Sequence, residues 1–213
     1  MRYSANPGRY RVSEATFTDI PDGKVQKVSI QSTLKDSFLD LESIELISLK
    51  SGKDFQLTDP RSGKQLIPAI VRTGICLDIA TVGVLFDAVD SADETESLLL
   101  HRKIAPHQLA IFCYPGKMEN LPDLQDLARL IAINTRKVGI STLNLPKCST
   151  SDEGIFSREL LQMDQLGTPY CIILTDDSLR SGLLNLRSRD TTLSETIHLT
   201  DIPSYLQKIF SSF

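Results

Sequence analysis

Pro169-Tyr170-Cys171-Ile172-Ile173-Leu174-Thr175 is an almost unbroken apolar run, too short for an ordinary helix and without the alternation that would mark one wet face. It reads as a strand buried on both sides. Such a strand needs elements packed on each face, and its neighbours supply them. Residues 109–114 form a second apolar strand. Across 121–137, Leu121, Leu124, Leu127, Ala128, Ile131 and Ala132 recur at three and four, which predicts a helix. Pro122 and Asp123 in its first turn and Arg136-Lys137 in its last suit the helix dipole, and Gly139 supplies a stop. Residues 140–145 predict a strand, 155–166 a helix ended by Gly167, 178–182 a turn, 183–189 a strand and 203–210 a closing helix. The expected class is α/β, with a mixed, mostly parallel sheet of about five strands flanked by helices.

The first part of the chain is less regular. Residues 1–33 are polar and broken by Pro7, Gly8, Pro21 and Gly23, which predicts loops or a short hairpin at Pro21-Asp22-Gly23. Leu34, Phe38, Leu41, Ile44 and Ile47 stand near helical spacing, so 34–50 is expected as a helix. Asp59-Pro60 and Ser62-Gly63 mark a turn-rich connector. Residues 66–71 read as a strand, and 74–88 as strand then helix. The stretch 90–97, Asp-Ser-Ala-Asp-Glu-Thr-Glu-Ser, is acidic and lacks apolar anchors. It is expected to be a surface linker, dividing the chain into 1–97 and 98–213.

With 41% hydrophobic and 23% charged residues, the chain can bury a core. Its net charge of -4 argues against a protein whose sole role is to coat nucleic acid, since phosphate neutralisation drives such binding. Contact with DNA or RNA is expected through a local patch. The four cysteines, Cys76, Cys113, Cys148 and Cys171, form no C-x-x-C pair; Cys113 and Cys171 sit in apolar runs as small hydrophobes, and no disulfide framework is expected. No apolar stretch approaches the roughly 20 residues that cross a bilayer, so no membrane partner is expected. Arg2, Arg9 and Arg11 precede the first acid, Glu14, as in a mitochondrial presequence, but Pro7 and Gly8 disfavour an amphipathic helix.

No catalytic motif emerges. His101, His107 and His198 do not pair at a metal-ligand spacing, and H-E-x-x-H, G-x-S-x-G and the P-loop pattern are lacking. Asp176-Asp177 and Asp152-Glu153 are sequence neighbours at element ends, where acids cap or turn the backbone. No catalytic residue, metal, cofactor or small-molecule substrate is expected. The sharpest local signal is Leu186-Arg187-Ser188-Arg189-Asp190-Thr191-Thr192. Alternation puts Arg187 and Arg189 on one face of a strand. They either grip a phosphate or a partner's carboxylates, or form an internal Arg–Asp pair that ties the hairpin.

From Ala105-Pro106 onward the layout resembles the anticodon-binding domain of the class II glycyl-, prolyl-, histidyl- and threonyl-tRNA synthetases. The Ala-Pro entry, the strand from Pro169, the acids at 176–177 and the Leu179-Arg180-Ser181-Gly182 turn carry that likeness. Leu100-His101-Arg102-Lys103 and the Arg-Ser-Arg-Asp-Thr-Thr core at 187–192 further resemble the accessory subunits of mitochondrial DNA polymerase gamma. The segment Gly74-Ile75-Cys76-Leu77-Asp78-Ile79-Ala80 is similar to the third class II motif, except that Ile79 stands where an ATP-contacting Arg is expected. Apolar Ile79 cannot neutralise phosphate, and the first two class II motifs are not visible.

The resemblance implies a non-catalytic processivity subunit of the mitochondrial matrix, at the nucleoid. Residues 1–97 would be a shortened synthetase-like remnant or part of a longer chain, and 98–213 the anticodon-binding-like domain. The implied partners are the catalytic subunit of mitochondrial DNA polymerase gamma and primer-template or duplex DNA. Expected partner contacts are Arg187, Arg189, Asp190 and Lys147, in the Pro146-Lys147-Cys148 loop; expected DNA contacts are Arg102, Lys103, Arg136 and Lys137. One accessory chain per polymerase is expected. A tRNA-binding module and the C-terminal part of a class II synthetase remain as alternatives.

Overall fold

In a computed structural model the described residues are 4, 6–34, 37–50, 55–90, 97–143, 147–148 and 152–211. The chain separates into two compact units, Asn6–Asp87 and Ala88–Phe213, apart from a few N-terminal residues. The division falls within a helix, ahead of the acidic stretch, of which residues 91–96 lie outside the described ones.

The first unit is an antiparallel sheet. Its strands are β1 (Tyr10–Val12), β2 (Thr16–Ile20), β3 (Gly23–Leu34), β4 (Ser37–Leu49) and β7 (Ile70–Ile75), in the order β1-β3-β4-β7 with β2 also on β3. The hairpin expected at Pro21-Asp22-Gly23 is present, with Ile20 opposite Gly23, although strands and not loops fill most of 10–34. A Cβ on Gly23 would stand 2.1 Å from the Ser48 carbonyl oxygen, so the sheet requires glycine there.

The helix expected over 34–50 is instead β4, paired with β3 along its whole length. A bulge opposite Ile30/Gln31 leaves Leu41 as the extra residue. It shifts the apolar phase by one, and the resulting three-residue interval from Leu41 to Ile44 imitates helical spacing. The connector is a small hairpin of β5 (Leu57–Thr58) and β6 (Gln65–Leu66), its turn held by Asp59, which accepts from the Arg61 amide and the Ser62 hydroxyl. The single strand expected at 66–71 is split between β6 and β7. Strand-then-helix at 74–88 holds: β7 ends at Ile75 and α1 spans Leu77–Asp90.

The second unit is α/β, its five-stranded sheet ordered β12-β11-β10-β8-β9. These strands are β8 (Leu109–Cys113), β9 (Lys147–Cys148), β10 (Tyr170–Leu174), β11 (Leu183–Ser188) and β12 (Ser194–His198). β10 pairs parallel with β8 and β8 with β9, whereas β10–β11 and β11–β12 are antiparallel. The sheet is therefore evenly mixed, not mostly parallel. Two strands were not expected: β9, at Lys147-Cys148 where the sequence suggested a loop, and β12, whose polar residues Ser194, Glu195 and Thr196 are exposed and gave no apolar signal.

β10 is buried on both faces, as its composition required. Ile172 and Leu174 join Leu109, Ile111, Leu124, Ile131, Ile202 and Leu206 in one cluster; Cys171 joins Ala110, Phe112 and Met163 in the other. Thus α2 (Leu121–Lys137) and α5 (Ile202–Ser211) cover one face and α3 (Glu153–Gln165) the other. The helix over 121–137 has the expected bounds, and Gly139 follows at φ 84°.

The strand expected over 140–145 is not formed among the described residues. Thr142 makes an isolated parallel bridge to Leu109. That bridge consists of the Leu109 amide donating to the Ser141 carbonyl and the Leu143 amide donating to the Leu109 carbonyl; the Thr142 and Leu143 carbonyls instead accept from Arg136. The turn expected at 178–182 is a short helix, α4 (Asp176–Ser181). Ser178 Oγ accepts from the Thr175 amide at its start, Asp176 and Asp177 occupy its first turn, and Gly182 ends it at φ 70°.

Candidate partner-binding site

β11 carries two different faces into the second unit. Arg187 and Arg189 point to the α3 side, as alternation requires, while Leu186 and Ser188 point to the α5 side. Arg187 lies opposite Cys171 on β10 and Ser194 on β12. Its guanidinium makes a bidentate pair with Asp164 near the end of α3: Nη1 donates to Oδ1 at 2.9 Å and Nη2 to Oδ2 at 2.8 Å. The two side chains are 14% and 11% exposed. The hydrogen bonds it donates to Asp164 hold the Arg187 pKa above its usual value, even against burial.

Arg189 is buried and all five of its N–H donors are placed. Nη1 donates to the carbonyls of Leu98 and Gly167, each at 2.9 Å; Nη2 donates to the Leu100 carbonyl at 3.0 Å. Nε and Nη2 both reach Asp190 Oδ1. The Arg–Asp alternative raised by the sequence is therefore realised in two pieces. Arg189 pairs with its neighbour Asp190, whereas Arg187 pairs with Asp164, which the sequence did not suggest. Asp190 itself remains 63% exposed on its side chain.

The other expected contacts are dispersed. Lys147 is in β9, where its backbone pairs with Phe112; Pro146, of the same loop, lies outside the described residues. Arg102 and Lys103 are half-buried in the segment after Leu100. Arg136 and Lys137 are exposed at the end of α2, but Arg136 Nη2 donates to the Thr142 and Leu143 carbonyls at 3.0 and 2.9 Å.

Among the described residues, each unit carries a concavity. One, of about 550 Å³ on the first unit's sheet, is polar; in it Arg11 donates to Gln31, Gln31 donates to Asp40, and Arg11 stacks 3.0 Å from the Phe38 ring centre. The other, of about 360 Å³ in the second unit, is lined by Arg102, Tyr170, Leu186, Leu193, Glu195 and Tyr205, among others. The Tyr205 hydroxyl donates to Glu195, which raises the Tyr205 pKa. Sequence reasoning missed this cavity. The available signal was the second parity of β11, Leu186 and Ser188, overshadowed by the arginines between them.

Among the described residues no cluster of His, Cys, Asp and Glu is arranged to hold a metal. Cys113 and Cys171 are buried, and burial pushes the Cys171 thiol up to about 12. Ile79 is half-buried near the start of α1, after the β7 strand. No described helix is long and apolar enough to cross a membrane.

Known proteins resemble this chain in part or along its whole length. A family described as the anticodon binding domain matches residues 149–209, which include α3, β10, β11 and β12. The chain is 35% identical over 215 aligned residues to the mitochondrial DNA polymerase subunit gamma-2 of Drosophila melanogaster, covering 100% of this chain and 60% of that protein. It is 30% identical to the glycine–tRNA ligase of Borrelia hermsii, over 73% of this chain and 34% of the ligase. The ligase of Lachnoclostridium phytofermentans gives 27% over 75% of this chain and 33% of that enzyme. The chain thus spans less than two thirds of the polymerase subunit and about a third of the ligases. Its sequence and its second unit make it a relative of mitochondrial DNA polymerase gamma-2 subunits, with the class II synthetase kinship that an anticodon-binding domain and the glycine–tRNA ligases express.

Proposed function

We propose that the chain serves as a non-catalytic accessory subunit of mitochondrial DNA polymerase gamma, in the matrix at the nucleoid, binding the catalytic subunit and stabilising its primer-template complex. The observation that carries this reading is the 35% identity to a gamma-2 subunit across the entire chain. Ile79, in place of a phosphate-binding Arg, opposes ATP-dependent aminoacylation. In physical terms the function is linkage: contacts added in the DNA-bound state lower dissociation without altering the chemistry.

On this reading residues 1–97 are the synthetase-like portion and 98–213 the docking domain. Asp190 and Lys147 meet the partner, while Arg187 and Arg189, whose donors are engaged internally, position the surface that docks. Lys137, with Arg136 beside it, is the best-placed contact for duplex phosphates. Arg102 and Lys103 are the further candidate contacts for duplex DNA.

The test is primer extension on a long single-primed template with the cognate catalytic subunit, with and without this chain, under trap DNA that allows one binding event. Longer products are expected with the chain present. Unchanged product length with folded protein would exclude the processivity role. A tRNA-binding module is the second reading, favoured by the anticodon-binding match over 149–209; retention of labelled tRNA at physiological salt, with no effect on extension, would favour it.

A further inference from the structure

We infer that the polar cavity on the first unit's sheet, of about 550 Å³, binds a short free peptide by its terminal carboxylate and its terminal ammonium together. This does not rest on the accessory-subunit reading. The cavity follows from the way two strands share one neighbour. β1 and β2 both pair with β3, Tyr10–Val12 opposite Ile30–Ser32 and Thr16–Ile20 opposite Gly23–Lys27. The link between them crosses the stretch of β3 left over. There the Ser13 amide donates to the Ser29 carbonyl at 2.8 Å, and the Ser29 amide donates to Ser13 Oγ at 2.9 Å. The floor is therefore closed by internal hydrogen bonds, and Ser29 is buried in it. Strand alternation puts Lys27, Ser29 and Gln31 on one face, with Thr16 opposite Lys27 and both Arg11 and Asp40 opposite Gln31.

Four charged side chains line this space: Arg11, Glu14, Lys27 and Asp40. Among the described residues none of the four forms an ion pair, and the Glu14 carboxylate and the Lys27 ammonium have no hydrogen-bond partner. Arg11 is held ready. Its Nε donates to Gln31 Oε1 at 2.9 Å, and Gln31 Nε2 donates in turn to Asp40 Oδ1 at 2.6 Å. The guanidinium lies 3.0 Å from the Phe38 ring centre. Its two Nη groups have no acceptor among the described residues, and they form the fork that takes a carboxylate in two parallel hydrogen bonds.

Separated charges of both signs select a ligand whose own charges are separated. Glu14 is three residues beyond Arg11, at most about 10 Å along the backbone, and Lys27 is about 13 Å from Gln31 along β3. An α-amino acid carries its carboxylate and ammonium on one carbon, so it meets only one end of the site. A peptide of roughly two to four residues spaces them to match. Its carboxylate lies on Arg11, its ammonium on Glu14, and its amides over the hydroxyls of Ser13, Thr16 and Ser29. Lys27 then takes an acidic side chain of the same peptide. Nucleotides and other multiply charged anions are opposed by Glu14 and Asp40, which present like charge beside the fork.

The test titrates the full, isotopically labelled chain with triglycine and reads amide shifts by two-dimensional NMR, with folding checked by circular dichroism. Saturable shifts are expected within residues 11–16 and 27–31. Free glycine, N-acetylated triglycine and triglycine amide should each bind at least about tenfold more weakly, because each loses a charged contact or the spacing between the two. Glu14→Gln should weaken triglycine by about tenfold and stop distinguishing it from the acetylated form. Arg11→Gln should do the same for the amide. Arg61→Gln, in the exposed turn between β5 and β6, is the control and should match the parent. Glycine bound as tightly as triglycine would overturn the inference in favour of a single-residue pocket. Shifts that do not saturate, or that are confined to the second unit, would overturn it too, as would folded Arg11 and Glu14 variants that bind like the parent.

Discussion

The two units differ in how they bury their side chains. Every fully buried apolar residue described lies from Ala88 onward, with Leu109, Phe112, Leu124, Ile172, Leu174 and Leu206 completely enclosed. In the first unit the buried residues that are not glycine are polar: Ser29, Ser32 and Asp87. Its apolar side chains are half-buried or exposed, among them Val71, Leu77 and Val82 on β7 and α1. One unit is organised by close packing, the other by long antiparallel hydrogen-bond ladders. The contrast extends to charge. Arg187–Asp164 is enclosed, whereas in the Arg72–Glu45 pair across β7 and β4 the arginine is 68% exposed.

The largest effect that would break the comparison is a core truncation. Phe112→Ala should cost about 3–5 kcal/mol in denaturant unfolding of the second unit, because a fully buried ring leaves a cavity. Ile44→Ala in half-buried β4 should cost less than half as much; equal losses would mean that the first unit also has a closed core. Next comes the ion pair. Arg187→Ala strands Asp164 and is expected to cost roughly 3 kcal/mol or more, against at most about 1 kcal/mol for Arg72→Ala. The double variant Arg187→Ala/Asp164→Ala should recover part of the loss in a double-mutant cycle; strict additivity would deny the pair.

Gly167→Ala is intermediate. Gly167 has φ 77°, and its added methyl would meet Leu100 Cδ1 at 2.9 Å, so about 1–2 kcal/mol of destabilisation is expected from thermal melting. The smallest effect is a pH dependence. The His101 pKa is lowered by burial, then by Arg102 and Lys103. On acidification through the ordinary histidine range near 6.5, the unfolded chain takes up the proton first, so stability falls with pH until the lower folded pKa is passed. Above that range His101 contributes nothing. His101→Gln should therefore narrow the gap between unfolding midpoints at pH 7.5 and pH 5.5; an unchanged gap would remove His101 as its source.

Much of the second unit was legible because its signals are local and reinforce one another. The helix at 121–137 combined periodic Leu and Ile with a proline and acid at its start and cations at its end, and β10 was apolar on both parities. The first unit misled where a β-bulge changed the phase of a strand, and β12 was silent because an exposed edge strand needs no apolar pattern. The Arg187–Arg189 site was legible as a residue set but not as an arrangement.

The sequence by itself determined the two-sided burial of β10, the helix that covers it, the shared face of Arg187 and Arg189, and the kinship carried by the Arg-Ser-Arg-Asp-Thr-Thr core. Only the tertiary structure decided that Arg187 meets Asp164, 23 residues away, and that Arg189 reaches Leu98 and Leu100, about 90 residues away. It alone brought Leu186, Tyr205 and Arg102 around one cavity. Periodicity is a property of adjacent residues and can be read along a chain. The partner of a buried guanidinium is chosen by which carboxylates and carbonyls packing brings within about 3 Å, and no local pattern encodes that choice.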